Sequence, residues 1–145
     1  MRIRLLDLSI PILITSFALV GCDTSTESST PSNVPAGLNT PFTLSVGQTG
    51  LLNAEHLSVT FLGVPSDTRC PVDIVCMQAG DATLSIRAEK GGKPGVNLAI
   101  ALSDDPQTAM FEGYAIDARR LLPDQMTGRT IPAGEYTVTL VVNRP

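Results

Sequence analysis

Few side chains in this chain can do covalent or metal chemistry: the cysteines at positions 22, 70 and 76, the single histidine His56, and Met77, Met110 and Met126. Structural zinc is held by four Cys or His ligands, so His56, Cys70 and Cys76 supply one too few, and only with both thiols reduced. A soft copper site from His56 and the methionines competes with the ordinary role of Met as core filler, which is the expectation here. Asp104 and Asp105 offer carboxylates to calcium, which takes about 6–8 oxygens. A turn ahead of Pro106 accounts for them more simply. Nucleophilic catalysis needs a serine or cysteine beside a base that a third group orients. His56 is the sole imidazole, no Gly-x-Ser-x-Gly elbow occurs, and Gly91-Gly92-Lys93-Pro94-Gly95 lacks the strand-to-helix setting of a phosphate loop. The chain therefore reads as noncatalytic, with no metal and no cofactor.

Composition narrows the scaffold that carries these residues. In 145 residues aromatics make up 4% and Trp is absent, so a core has to be built from Val, Leu, Ile and Ala. Eleven prolines and twelve glycines imply frequent turns, which favours short strands over long helices. The formal charge is −4, and −5 once Arg2, Arg4 and Asp7 are set aside. With that sign and no run of Lys or Arg, nucleic acid is excluded as a partner.

Arg2 and Arg4 precede an apolar run of 14 residues, 8–21, broken only by Ser9, Pro11, Thr15 and Ser16. A membrane-spanning helix takes roughly 20 apolar residues, so residues 1–21 read as a signal peptide. The run stops at Leu19-Val20-Gly21-Cys22, which resembles the lipobox of bacterial lipoproteins. That resemblance implies cleavage before Cys22, a diacylglycerol group on its sulfur, and palmitate or a similar acyl chain on the freed amine. Membrane lipid would then be a partner, and the protein would sit on the outer, periplasmic or extracellular, side of a membrane. A single acyl chain, at about 0.8 kcal/mol per buried CH₂, holds a protein only marginally, whereas two or more anchor it. Asp23 resembles the inner-membrane retention signal of enterobacteria-like lipoproteins, and equally opens a polar tether. With Cys22 acylated, Cys70 and Cys76 remain as a pair, which an oxidising envelope compartment keeps as a disulfide. Residues 22–37, with seven Ser or Thr and two Pro after Cys22, are expected to be a disordered linker. A linker of that length spaces the domain roughly 20 Å from the membrane.

Over residues 38–145 the apolar period is two. Phe42, Leu44 and Val46 are followed by the turn Gly47-Gln48-Thr49-Gly50. Leu57, Val59 and Phe61 make the next face, then Leu84 and Ile86, then Val96, Leu98, Ile100 and Leu102 after the glycine-rich turn at 91–95. Asp104-Asp105-Pro106 ends that run. Residues 110–122 carry both periods and are assigned a strand from about Tyr114. Tyr136, Val138, Leu140 and Val142 form the last strand, after Pro132-Ala133-Gly134. About seven strands joined by turns predict an all-β fold, an antiparallel immunoglobulin-like sandwich. Gly134-Glu135-Tyr136 is similar to a tyrosine corner, although an immunoglobulin domain has one more strand after it.

The most distinctive run is Asp67-Thr68-Arg69-Cys70-Pro71-Val72-Asp73-Ile74-Val75-Cys76-Met77-Gln78-Ala79-Gly80-Asp81-Ala82. It resembles the hallmark of a family of small secreted or lipid-anchored bacterial proteins without assigned activity: Asp-Ser-Arg-Cys-Pro, then Cys-x-Trp-x-Gly-x-Ala. Thr68 stands at the serine and Gln78 at the tryptophan. A Cys70–Cys76 bridge closes a ring of about seven residues, which contributes roughly 2 kcal/mol and shapes one loop more than it holds the fold. Asp67 and Arg69 have two readings: an ion pair that braces the loop against backbone groups, or an interaction surface for an envelope protein or polymer. The expected function is that of a lipid-anchored envelope lipoprotein with a noncatalytic binding or structural domain. Two other readings are a chagasin-like peptidase inhibitor, whose late Arg-Pro segment Asn143-Arg144-Pro145 resembles, and a periplasmic metal-binding protein.

Overall fold

Wherever Val, Leu, Ile or Phe alternates with Thr, Ser or a charged residue, one face of an extended segment turns apolar and has to be covered by another. In the computed structural model, which describes residues 32–144, this produces nine strands. They are β1 (Asn33–Pro35), β2 (Phe42–Ser45), β3 (Thr49–Leu52), β4 (Leu57–Asp67), β5 (Ala82–Lys90), β6 (Val96–Ala101), β7 (Thr108–Phe111), β8 (Tyr114–Leu122) and β9 (Thr137–Asn143). The signal peptide, Cys22, Asp23 and the linker up to residue 31 lie outside the described residues.

One sheet has the order β1-β3-β4-β5-β6 and the other β2-β9-β8-β7, antiparallel throughout except for the parallel β1–β3 pair. Leu57, Val59 and Phe61 of β4 and Leu84, Ile86 and Ala88 of β5 point inward from the first sheet. Leu44, Ile116, Val138, Leu140 and Val142 meet them from the second, in one continuous core. The all-β sandwich is thus as the alternation predicts. Its sheets are built mainly from consecutive strands, β3 to β6 and then β7 to β9, with β2 returning beside β9. An immunoglobulin constant domain would instead interleave them as ABED and CFG.

Four features depart from the sequence reading. The linker ends earlier than residue 37, because Asn33–Pro35 pairs with Thr49–Leu51. The turn assigned to residues 47–50 gives way at Thr49 to β3, whose Gly50 lies under the Phe42 ring; a Cβ there would stand 2.5 Å from Phe42 Cε2. Gly50 reads as a turn residue and serves as a strand position that an aromatic ring covers. Residues 108–111 form a separate strand, β7, before the Glu112-Gly113 turn. In β6 only Ile100 is buried, and Val96 is 47% exposed, since this strand is the sheet edge.

Register shifts interrupt two strands. β4 slips between Phe61 and Gly63, at the outward-facing Leu62, and β8 slips between Ala118 and Arg120, so that Leu121 returns to the core. A bulge adds one residue and reverses the facing of everything beyond it.

At the end of the sandwich formed by Asn53–Glu55 and the turns at 91–95 and 112–113, Tyr114 is 1% exposed. Its ring is flanked by Lys90 at 4.4 Å and Arg144 at 4.9 Å. The Tyr114 hydroxyl and Arg144 both donate to Glu55. Arg144, which carries the inhibitor resemblance, is therefore engaged within the domain.

Replacing Gly50 with alanine forces the Phe42 ring out of its place. The expected cost is roughly 2 kcal/mol, the usual range for overpacking a core, read as a lower urea midpoint with an unchanged slope.

Candidate functional site

The loop between β4 and β5 leaves the sheet as a continuation of it. Thr68 N–H donates to the Asp81 carbonyl at 2.7 Å and Cys70 N–H to the Ala79 carbonyl at 2.8 Å. Gly80 makes this close approach possible: its φ is +68°, and a Cβ would lie 1.8 Å from the Thr68 carbonyl oxygen. Only glycine takes that conformation and that distance without displacing backbone. Cys70 and Cys76 are joined, with Sγ–Sγ 2.08 Å and Cα–Cα 6.0 Å.

Beneath the loop, Asp67 and Arg69 form a two-pronged ion pair. Arg69 Nε donates to Asp67 Oδ1 at 2.8 Å and Nη2 to Oδ2 at 2.7 Å. The guanidinium then crosses to the other sheet, donating to the Leu121 carbonyl at 3.2 Å and the Pro123 carbonyl at 2.9 Å. Tyr136 Oη donates to Asp67 Oδ2 at 3.0 Å. The planar fork of arginine suits this task, because its donors point two ways at once. The side chains are 5% exposed for Asp67 and 17% for Arg69, so both are spent on holding the sheets together and neither is offered to a partner. Of the two readings of this pair, the brace is the one the geometry supports. Tyr136 bonds a carboxylate across the sandwich rather than the backbone upstream, unlike a tyrosine corner.

These contacts set the ionisation. Burial alone would raise the Asp67 carboxyl, but the hydrogen bonds and charge of Arg69, with the Tyr136 hydroxyl, outweigh it and hold the group below its ordinary 3.8. The bond to Asp67 raises Arg69, against the opposing effect of burial. Burial raises the Tyr136 phenol above 10.0, and the neighbouring Asp67 adds to the shift.

The loop leans on residues 123–129 as well. Val72 N–H donates to the Gln125 carbonyl at 2.9 Å, and Asp73 Oδ1 accepts from the Thr127 N–H at 2.9 Å and its hydroxyl at 3.2 Å. The bond from the Thr127 backbone holds Asp73 below the usual carboxylate range. Asp81 Oδ1 receives Ser103 N–H at 2.8 Å. Polar bonds and one disulfide thus shape a loop that has no core of its own.

Beside Asp73 and Gln78, the loop shows large apolar side chains to solvent. Val75 and Met77 are fully exposed, Val72 is 65% exposed, Ile74 49%, and Met126 in the bracing segment 44%. Met110, on the outer face of the edge strand β7, is also exposed. All three methionines expected in the core therefore lie outside it: Met77 and Met126 sit on loops beyond the last core layer, and Met110 faces away from the opposite sheet. The signal for the loop was present in Val72, Ile74, Val75 and Met77, four apolar residues with no strand period and no facing element.

The remaining candidates are dispersed. His56 is an exposed residue in a left-handed turn, φ +49°, at the Tyr114 end. Cys70 and Cys76 are at the other end, bonded to each other. Asp104 and Asp105 are exposed in the turn after β6, and Gln78 is exposed. Among the described residues no three His, Cys, Asp or Glu side chains gather as a metal-binding group. Comparisons with protein-family models, curated proteins and solved structures find no match.

Two outcomes follow from the brace. Arg69→Ala leaves the Asp67 carboxylate enclosed without its counter-charge, and is expected to cost roughly 3 kcal/mol in chemical denaturation. Because folding lowers the Asp67 pKa, its stabilisation is complete above 3.8 and disappears as pH falls through the folded-state value. The stability difference between the wild-type chain and Asp67→Asn, followed by urea titration, should accordingly be constant near neutrality and shrink below about pH 4.

Proposed function

We infer that the protein is a lipid-anchored bacterial envelope lipoprotein whose noncatalytic β-sandwich domain acts by binding or by supporting another envelope component. The observation that carries this is the cysteine bookkeeping: Cys70 and Cys76 are consumed in a disulfide, leaving Cys22, the residue at which the lipobox-like run ends, for acylation. A disulfide also fits export to an oxidising compartment. The apolar run before Cys22, too short to span a bilayer, supports a cleaved leader.

A binding or structural role, in place of catalysis, is supported by how the domain uses its polar groups. The most enclosed charged pair, Asp67 and Arg69, is saturated by internal bonds. A group so committed cannot serve as an acid, base or nucleophile without breaking the fold.

Expressed with its leader in a bacterium that processes lipoproteins, the wild-type chain should enter the detergent phase on Triton X-114 separation. Its intact mass should match a chain starting at Cys22 plus diacylglyceryl and acyl groups. Cys22→Ala should stay in the aqueous phase or keep its leader. An intact Met1 with an unmodified sulfur at position 22 would refute the reading.

A further inference from the structure

We propose that the disulfide loop is a lipid-docking surface: Val72, Ile74, Val75 and Met77, with Met126 beside them, rest in the interfacial layer of the membrane that anchors the chain. This rests on the lipoprotein reading above and adds an orientation to it.

The direction of the chain is the first argument. β1 runs parallel to β3 and opposite to β4, with Asn33 level with Thr49 and, through it, with Thr60. Moving upstream from Pro35 to Asn33 is therefore moving toward the Asp67 end of β4, where the disulfide loop projects. The chain upstream of Asn33 therefore heads in the direction in which the apolar loop projects.

Length is the second. From Arg87, the partner of Thr60, the ladder continues to Ala79 opposite Cys70, which puts the base of the disulfide ring about 26 Å beyond Asn33 at about 3.3 Å per residue. Ten residues separate Cys22 from Asn33. Such a segment reaches at most about 36 Å, and as a coil about 16–19 Å. A chain held by Cys22 at a bilayer thus brings the loop to the surface before its tether is fully drawn out.

Chemistry is the third. Five of the nine large apolar side chains exposed among the described residues are on this loop and its bracing segment. The disulfide and the bonds to Gln125 and Thr127 prevent the loop from folding back to cover them. Apolar side chains on such a support partition about 5–10 Å into the boundary between headgroups and acyl chains. The acidic balance of the chain, and Asp73 within the patch, favour a zwitterionic headgroup over an anionic one.

The chain has no Trp, so single reporters can be placed without background. Full chains carrying Val75→Trp or His56→Trp, both exposed positions at opposite ends, are reconstituted into phosphatidylethanolamine–phosphatidylcholine vesicles with brominated acyl chains. Circular dichroism and free-thiol assay verify folding and the disulfide. Val75→Trp should be blue-shifted and quenched by about half or more, as expected for interfacial depth, and His56→Trp should be unaffected. Detergent-phase partition of the same samples scores the anchor separately. Partition into detergent with Val75→Trp unquenched, or quenched no more than His56→Trp, overturns the docking surface and leaves the anchor standing. A chain that remains aqueous overturns both. Val75→Trp exposed on vesicles but shielded in native envelopes identifies a protein occupant in place of lipid, and also overturns the proposal.

Discussion

A charge enclosed between two sheets is tolerated only if it is paired and its donors and acceptors are filled, and the Asp67–Arg69 fork meets both conditions. Its position gives it reach. Asp67 ends β4, Arg69 begins the loop, and the carbonyls of Leu121 and Pro123 belong to the end of β8 and the segment after it. One guanidinium therefore joins the two sheets where their strands diverge and the apolar layer has run out. Tyr136, entering β9, ties the same carboxylate to a third strand end. The loop above has few apolar contacts of its own to stabilise it, and its shape follows from this brace, from Gly80, and from the short cystine ring.

The two ends of the sandwich solve the problem of closure differently. At one, Tyr114 is held between Lys90 and Arg144 and bonded to Glu55, so an aromatic ring fills the gap and cations cover it. At the other, hydrogen bonds to backbone groups do the closing, and the apolar side chains nearby are turned outward. An apolar, rigid tip is costly in water and useful at an interface, where the ordering has already been done by the fold. In the proposed arrangement the tether and the tip face the same membrane, and the Tyr114 end faces away from it.

Much of the scaffold was legible because a sheet has a period of two, and residues such as Leu57, Val59 and Phe61 cannot follow it without defining an inner face. The β1 and β3 strands were not, because Asn33–Pro35 is too short and polar to show a period, and Gly50 imitates a turn. Their pairing is a contact between distant parts of the chain that no local pattern records. The slips at Leu62 and Arg119 were hidden for the same reason: a bulge depends on the neighbouring strand.

The site divides along the same line. Sequence alone determined the all-β class and the identity of the Asp67, Arg69, Cys70 and Cys76 cluster, since these depend on residue type and close spacing. Only tertiary structure decided what the cluster does, because Arg69 acquires its role from carbonyls more than fifty residues away. It also decided that Val75 and Met77 face solvent: an apolar residue is buried only when another element arrives to cover it, and none among the described residues covers this loop.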